Sequence, residues 1–195
     1  MDKAAIKVPV PIKTPRLTLR PPQKGDGQAM YDAKVESLRE LREFMSWAMA
    51  EPSVEADEKR MQEKSEDFKK REDLMMLAFD EHNKMVGSTG LHFIDWELRS
   101  FCIGYWVRTS ETGKGYATEV TTALARYAFQ ALDARRVFIF HHIDNKASEA
   151  VIKKVGFPFE GVHRNGILGN DGKAHDEKSY AFISLDEVPP IDVRW

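Results

Sequence analysis

One unit in the middle of the chain constrains the fold more than any other feature. Residues 101–107 form an apolar run, a glycine-rich turn follows, and residues 137–140 form a second apolar run. Between the two runs lies a stretch with one helical stripe of apolar side chains, made of Ala117, Val120, Leu124, Tyr127, Ala128 and Ala131. A strand–helix–strand unit of this kind requires parallel strands joined by a right-handed crossover. The run at 137–140 is apolar at every position, which predicts a central strand buried on both faces.

The strands before this unit are predicted to be antiparallel. Residues 16–20 alternate polar and apolar and stop at two prolines, which predicts a short strand. Residues 74–79 and 85–94 then read as strands joined by a polar turn, and with 101–107 they predict a three-stranded meander.

Helices and a hairpin complete the pattern. Residues 24–70 have helical spacing, broken at Pro52, after which Ser53 is a candidate N-cap for a second helix. Residues 145–155 form an amphipathic helix that ends at Gly156. The turn Gly-Asn-Asp-Gly-Lys at 169–173 predicts a closing hairpin. The order of elements predicts an α/β protein with one mixed sheet.

Composition excludes several classes of protein. The chain has 195 residues, enough for one domain, and its 29 basic and 31 acidic residues nearly cancel to a net charge of −2. This balance gives no general attraction to nucleic acid or to an anionic membrane. Cys102 is the single cysteine, so no internal disulfide can form. With no signal-peptide pattern and no run of about 20 apolar residues, the expectation is a cytoplasmic protein without membrane partners.

The turn at residues 112–119 is the strongest candidate for a ligand site. Its two glycines allow a tight turn and a close approach of ligand to backbone, and the helix that follows presents unpaired N–H groups and a positive dipole end. These features suit a phosphate, and Lys114 adds a mobile charge. The sequence matches neither the P-loop nor the dinucleotide-binding pattern. Taken alone, such a loop also has a purely structural interpretation.

The order of motifs along the chain resembles one enzyme family. Residues 115–117 resemble the end of the R/Q-x-x-G-x-G/A loop of the GNAT acetyltransferases. Residues 103–107 (Ile-Gly-Tyr-Trp-Val) with the loop resemble the ribosomal-protein alanine N-acetyltransferase, or RimJ/RimL-type, branch. The segments at 14–21, 145–157 and 161–173 are similar to its opening strand, second motif and closing hairpin, in the same order.

The resemblance implies a fold and a reaction. The fold is the GNAT fold, with a single mixed, mostly antiparallel twisted sheet of about six to seven strands flanked by about four helices. One domain would span residues 1–195, with an extended lead-in at 1–13 and a tail at 185–195. The reaction is transfer of an acetyl group from acetyl-CoA to a primary amine, without a metal, by a monomer or homodimer. The acceptor would be a protein N-terminal amine or a small amine.

The resemblance also implies roles for particular residues. Val107 would pair through its backbone with the pantetheine arm, Asn145 would lie beside the thioester, and Lys154 would reach a cofactor phosphate. Ser148 would lie near the sulfur and protonate the leaving thiolate. The remaining cofactor contacts would come from the loop, at Thr112, Gly113, Lys114, Gly115, Tyr116, Ala117 and Thr118. From the residues alone, Asn145 and Ser148 have a second interpretation as ordinary helix-start residues.

Two positions depart from the family pattern. Thr112 stands where the family has Arg or Gln, so one side-chain contact to the cofactor is missing. Cys102 stands where the family often has Glu, so a carboxylate that would draw a proton from the amine is absent there. Covalent catalysis by Cys102 is disfavoured, because free cysteines are more often small buried residues than nucleophiles.

The proton acceptor is therefore open. His142, at the end of the 137–140 strand, is the first candidate because histidine titrates near neutrality, and its neighbour His141 shares that position. His92, on the preceding meander strand, is a further candidate. Each of these histidines is also an ordinary strand residue on the alternative interpretation. Adjacent strand residues face opposite sides, so His141 and His142 make a poor metal site.

The acceptor-binding side and two alternative functions complete the sequence predictions. Phe44 and Trp47 lie where the family binds its acceptor, although both are equally typical core residues. The departures at Cys102 and Thr112 motivate an alternative, a CoA-binding sensor or interaction module with a weakened catalytic centre. A second alternative is a nucleotide-phosphate binder using the Gly-Lys-Gly loop.

The glycine loop yields a direct test. We expect Gly115→Glu to abolish acetyl-CoA binding, because the new side chain fills the cradle with bulk and negative charge where a pyrophosphate must lie. Calorimetric titration with acetyl-CoA measures this, with ATP as the control ligand. Unchanged acetyl-CoA affinity in a folded Gly115→Glu protein contradicts the assignment.

Overall fold

The protein is described by a computed structural model covering residues 3–195. Its sheet contains eight strands in the order β1-β2-β3-β4-β5-β6-β8-β7. They are β1 Ile12–Lys13, β2 Thr18–Arg20, β3 Leu74–Phe79, β4 Met85–Asp95, β5 Ser100–Val107, β6 Arg136–His142, β7 Phe159–Leu168 and β8 Ala174–Phe182. The α-helices are α1 Gly27–Glu36, α2 Leu38–Phe44, α3 Val54–Lys70, α4 Tyr116–Ala131 and α5 Lys146–Val155.

The predicted architecture is confirmed. Antiparallel pairing joins β3, β4 and β5, whereas β5 and β6 are parallel across the α4 crossover. Ser53 caps α3 by accepting a hydrogen bond from the N–H of Ala56, and Gly156 ends α5 in a left-handed conformation. Within residues 3–195 the structure has eight strands and five α-helices, whereas about six to seven strands and about four helices are predicted. The difference arises because the lead-in contains β1 and residues 24–70 form three α-helices rather than two.

Both chain ends contain short elements of secondary structure. The predicted extended lead-in at 1–13 contains a 3-10 turn at Lys3–Ala5 and the strand β1; residues 1–2 lie outside the described part. Lys13 pairs with Arg194, so the tail at 185–195 returns to the sheet edge. Trp195 packs edge-on against Tyr127 of α4, with ring centroids 5.3 Å apart.

The two faces of the sheet are covered differently. On the α4 face, side chains of Phe101, Ile103 and Ile139 pack with residues of α4 and α5 in the main core. On the α3 face, Met75 and Leu77 pack with Met30 and Met61 of α1 and α3 in a smaller cluster. The prediction that β6 is buried on both faces is wrong, because its residues alternate between buried and half-buried. On the α3 face of β6, aromatic and polar side chains stay half-exposed.

A buried ion pair joins the helices on the α3 face. Lys34 of α1 and Asp57 of α3 are both buried, and the Lys34 Nζ lies 2.6 Å from Asp57 Oδ1. The second carboxylate oxygen, Oδ2, is buried without a hydrogen-bond partner. Removal of the lysine therefore leaves a charge in a low-dielectric environment with no compensation.

We expect Lys34→Met to lower the free energy of unfolding by about 3–5 kcal/mol, the usual cost of an uncompensated buried charge. The matched double variant Lys34→Met with Asp57→Leu should recover most of that loss, because no charge remains to be buried. Urea unfolding measures both. A double variant as unstable as the single one would show that the loss comes from packing.

Candidate active site

The central feature of the site is the separation of two parallel strands. Pairing between β5 and β6 is confined to residues 100–102 of β5, and β6 continues alongside β8. The N–H of Arg108 donates to the carbonyl of Val86 at 2.8 Å, so these two opposite residues form a hydrogen-bonded pair of the β4–β5 ladder. In an antiparallel ladder such pairs recur at every second residue. By that alternation, the backbone groups of Tyr105 and Val107 face away from β4, into the gap.

The gap opens into a cavity of about 510 Å³ bounded by α2, the end of β5, the glycine loop and the start of α5. Ten of the predicted site residues line it: Val107, Thr112, Gly113, Gly115, Tyr116, Ala117, Thr118, Asn145, Ser148 and Lys154. The structure thus brings residues from three separated segments of the sequence onto one wall. A cavity of this size fits the usual range for small-molecule sites.

The glycine loop has the geometry that an anion cradle needs. Gly113 and Gly115 have φ values of 76° and 84°, in the left-handed region that favours glycine. Gly115 is the N-cap of α4 and has no side-chain cap, and the first intrahelical bond is from the N–H of Glu119 to the Gly115 carbonyl. The first-turn N–H groups of α4 therefore remain available at the cavity wall.

Glu119 and Arg16 fix this loop from behind. Glu119 is buried in the first turn of α4, where it accepts hydrogen bonds from the Thr14 hydroxyl at 2.6 Å and from the Arg16 Nε at 2.6 Å. Arg16 also donates to the Lys114 carbonyl at 2.9 Å and lies over the Tyr116 ring, 4.6 Å from its centroid. The loop therefore carries a fixed guanidinium charge beside the helix N-terminus.

Lys114 and Thr112 make different contacts from those predicted. The Lys114 ammonium lies 2.7 Å from the buried Glu111 carboxylate, which also binds Lys84, and Lys114 borders a second pocket outside the predicted cavity. Hydrogen bonds from Lys114 and Lys84 hold the pKa of Glu111 below its ordinary value. Thr112 does line the cavity, but its hydroxyl donates to the carbonyl of Thr109 at 2.8 Å.

The start of α5 carries a connected set of polar groups. Asn145 is the N-cap, and its side-chain oxygen accepts a hydrogen bond from the Ser148 N–H at 2.9 Å. The Ser148 hydroxyl lies 3.2 Å from the Tyr105 hydroxyl. Asn145 is thus the helix cap, whereas the Ser148 hydroxyl contacts a side chain that reaches across from β5.

Tyr105 is a candidate functional residue that the sequence reasoning missed. Burial raises the pKa of its phenol to about 12, although the hydrogen bond with Ser148 acts in the opposite direction. Strand alternation puts Tyr105 on the same face as Val107. That alternation, within a motif already singled out, was the signal that could have identified it.

The structure separates His142 from the predicted site. His142 does not line the cavity; its ring lies 5.6 Å from Phe44, which does, and 4.5 Å from His175. The His142 Nδ1 accepts a hydrogen bond from the Asp144 N–H at 3.1 Å. Potential ligand atoms of His142, Asp144 and His175 lie within 4.8 Å of one another. The His175 Nε2 is already engaged, since it lies 2.9 Å from Asp171 Oδ1.

The other candidates have distinct environments. His141 is buried on the α4 face, its Nε2 has no hydrogen-bond partner, and burial lowers its pKa. Cys102 is buried, and burial together with the nearby Glu177 raises its pKa to about 12.

His92 lies on the α3 face with its Nδ1 2.8 Å from Asp73. Trp47 packs on Trp106, which lines the cavity, with centroids 6.0 Å apart.

Comparison with known proteins identifies the family. Residues 16–158 match the acetyltransferase (GNAT) domain. The chain belongs to the GNAT acetyltransferase family. This result confirms the predicted family and its class, the acyltransferases.

The relatives within the GNAT family confirm the predicted RimJ/RimL-type branch. One relative is YdaF of Bacillus subtilis, which is named as a ribosomal N-acetyltransferase. It is 36% identical over 110 residues, or 56% of this chain. The Escherichia coli ribosomal-protein-serine acetyltransferase is 26% identical over 137 residues, covering 70% of this chain and 75% of its own length. The chain spans 58% of the length of YdaF and of YoaA, another Bacillus subtilis relative.

A solved structure of the same branch confirms the GNAT fold. The RimL ribosomal L7/L12 α-N-protein acetyltransferase, solved in complex with coenzyme A, superimposes with a TM-score of 0.80 at 27% identity. The match covers 87% of this chain and 95% of RimL. Within residues 3–195, none of the helices has the length and apolar character to cross a membrane.

The environment of Cys102 predicts an unreactive thiol. Because only the thiolate reacts rapidly and the pKa is raised to about 12, we expect almost no labelling by a thiol reagent near neutral pH while the protein is folded. The single cysteine should react fully after denaturation, which serves as the control. Labelling followed by absorbance measures both states. Rapid reaction of the folded protein would restore the covalent alternative.

Proposed function

We propose that this protein is an acetyl-CoA-dependent N-acetyltransferase that acts as a single domain spanning residues 1–195 in the cytoplasm. Its acceptor is the N-terminal amine of a protein. The observation that carries the proposal is the shared cavity, where the glycine loop, the open edge of β5 and the Ser148–Tyr105 pair meet. The names of the relatives, ribosomal-protein acetyltransferases, support a protein acceptor.

The residues fit acetyl-CoA in charge and shape. The first-turn N–H groups of α4 with Gly113, Gly115 and the Arg16 guanidinium suit the pyrophosphate, and Lys154 on α5 suits a further phosphate. The backbone of Val107 on the open edge of β5 suits the amide groups of the pantetheine arm. Acetyl-CoA supplies the thioester that is to be attacked.

An open strand edge also suits the charge that develops during transfer. A backbone N–H facing the gap, from Tyr105 or Val107, is held rigidly by the ladder with β4 and donates to the oxyanion without reorganisation. Holding both reactants in one cavity adds the advantage of proximity. Attack is direct, in a ternary complex, and Cys102 takes no part.

Ser148 and Tyr105 act on the leaving group. The cap contact with Asn145 uses the backbone N–H of Ser148 rather than its side chain. The Ser148 hydroxyl can therefore orient toward the sulfur. When Tyr105 donates to the Ser148 oxygen, the serine proton is available to the departing thiolate. The high pKa of the buried Tyr105 keeps the phenol protonated at neutral pH, so it remains a donor.

Ser148→Ala should lower kcat by about 10- to 100-fold. A general acid usually contributes about 10²- to 10⁴-fold, and the effect here is smaller because a thiolate is a good leaving group. Acetyl-CoA affinity should change little, since the cap contact comes from the Ser148 backbone. Steady-state kinetics with calorimetry separate the two effects. Ser65→Ala, on α3 outside the cavity, is the matched control. Equal kinetics in Ser148→Ala and the parent would refute the acid role.

Binding and turnover test the function itself. Calorimetric titration should show acetyl-CoA binding with little or no ATP binding. Mass spectrometry should then show a gain of one acetyl group on peptides with a free N-terminus and none on the same peptides with a blocked N-terminus. No acetyl-CoA binding by the folded protein removes the proposal. Binding without turnover on a broad panel of peptides and small amines supports the CoA-sensor alternative, and stronger binding of ATP supports the nucleotide-phosphate alternative.

A further inference from the structure

The reaction proposed above leaves one group unassigned, the acceptor of the amine proton. A protein N-terminal amine has a pKa of about 7.7–8.0, so near neutral pH most of it is protonated and cannot attack. Cys102 is a titratable residue on β5, the strand that borders the gap. With a buried thiol whose pKa is raised to about 12, Cys102 cannot act as a base near neutrality.

A second titratable side chain lies directly across the ladder from that position. His92 on β4 is the register partner of Cys102 on β5, so both side chains project from the α3 face. Gly104 and Trp106 follow Cys102 on the same face at intervals of two residues, and Trp106 lines the cavity. His92 does not itself line the cavity, and the β5 residues from Cys102 to Trp106 connect its position to the cavity wall.

Glycine is required for the His92 ring to lie where it does. A Cβ added to Gly104 would be 2.8 Å from the His92 Cδ2 and 3.1 Å from its Nε2. A Cβ added to Gly90, the register partner of Gly104, would be 3.0 Å from the His92 Cε1. The imidazole therefore lies over the two glycines, with its Nε2 on the Gly104 side.

Asp73 holds the ring in the state that a base needs. The His92 Nδ1 lies 2.8 Å from Asp73 Oδ2, and the other oxygen, Oδ1, accepts a hydrogen bond from the Met75 N–H at 3.0 Å. Because a carboxylate can only accept, the Nδ1 carries the proton and the Nε2 lone pair is left free. Burial raises the pKa of Asp73, but the hydrogen bond and charge of His92, together with the charge of Lys64, lower it by more. The pKa therefore lies below its ordinary value and the carboxylate stays ionised.

We infer that the Asp73–His92 pair is the proton acceptor of this enzyme, with His92 Nε2 taking a proton from the acceptor ammonium directly or through one water. His92 is the catalytic residue, and Asp73 is a positioning residue that fixes its tautomer and stabilises the imidazolium. The inference rests on the proposed acetyltransferase function.

The other titratable groups near the cleft are less suited to this task. The Glu111 and Glu119 carboxylates are bound by lysines and by Arg16, respectively. His142 packs against Phe44, and its Nδ1 already accepts a hydrogen bond. Among the residues that the structure describes, His92 and His163 each combine an orienting carboxylate on Nδ1 with an Nε2 that has no hydrogen-bond partner, and of the two only His92 lies on the strand that pairs with β5.

The protons balance over the reaction. The ammonium gives its first proton to His92 Nε2, and the neutral nitrogen then attacks the carbonyl carbon of the thioester, forming the C–N bond. When the C–S bond breaks, its electron pair leaves on the sulfur, which takes a proton from Ser148. The nitrogen loses its second proton, which replaces the one given by Ser148, and His92 releases the first to bulk water.

The electrostatic surroundings of His92 are simple. Asp73 is its direct partner, and Lys64 of α3 lies 3.8 Å from Asp73 and 3.0 Å from Asp67. Cys102 faces it from β5, and Glu177 of β8 lies beyond Cys102.

The test compares the full-length parent with His92→Gln, and with His82→Gln as a matched control on the exposed turn before β4. Acetyl-CoA binding and turnover by the parent are established first, so a failure of the proposed function is seen separately. His92→Gln should lower kcat by about 10²- to 10⁴-fold, the usual range for a general base, without changing acetyl-CoA affinity. His82→Gln should match the parent.

The pH profile gives a readout that a structural role would not move. Measured from about pH 5.5 to about pH 9.5 with both substrates saturating, the parent should show an acidic limb in kcat that His92→Gln lacks. Asp73→Asn should lower kcat without changing acetyl-CoA affinity, because the imidazole loses the carboxylate that orients it. Parent-like kcat and pH profile in His92→Gln overturn the inference and return His142 as the candidate. If His92→Gln does not fold, Asp73→Asn decides, and parent-like kcat in that variant overturns the inference.

Discussion

The separation of β5 and β6 is the constraint on which the rest of the structure depends. Two parallel strands that pair over residues 100–102 and then part leave backbone N–H and C=O groups facing a gap rather than a neighbour. Such groups are tolerated where water or a ligand can reach them. The sheet stays intact around the gap because β4 supports β5 along its length and β8 supports β6. The opening is therefore rigid on both sides, as a binding site for an extended ligand arm requires.

The helices on the α4 face convert this gap into a site. The crossover forces α4 to begin beside the end of β5, so its free N–H groups fall at the mouth of the gap. The α5 cap at Asn145 puts Ser148 opposite Tyr105. Arg16, which comes from the N-terminal part of the sequence, bonds Glu119 of α4 and the Lys114 carbonyl and so holds the loop to the sheet edge.

Charge pairing decides which groups around the site are free to act. Glu111 accepts from two lysines, and Glu149 of α5 accepts from Lys178 and Lys153, hydrogen bonds that lower its pKa to about 2. These carboxylates hold elements in place and stay ionised, so they are poor proton acceptors near neutrality. The same principle works in favour of His92, whose partner Asp73 is itself fixed by the Met75 N–H. An oriented imidazole with one free nitrogen remains.

The sequence by itself determined the order of elements, the parallel β5–β6 pair, and the caps at Ser53 and Gly156. These follow from local rules, since hydrophobic period, glycine conformation and capping depend on residues close together in the chain. The ten predicted site residues that line the cavity were implied by the resemblance to the GNAT family. The sequence could not determine that His142 lies outside the cavity, that Lys114 is engaged by Glu111, or that Tyr105 meets Ser148. The Tyr105–Ser148 contact joins residues 43 positions apart, and Glu111 is buried where Lys84, 27 positions away, also reaches it. Only the tertiary structure decided them, because register and packing, rather than local propensity, set the distances between such groups.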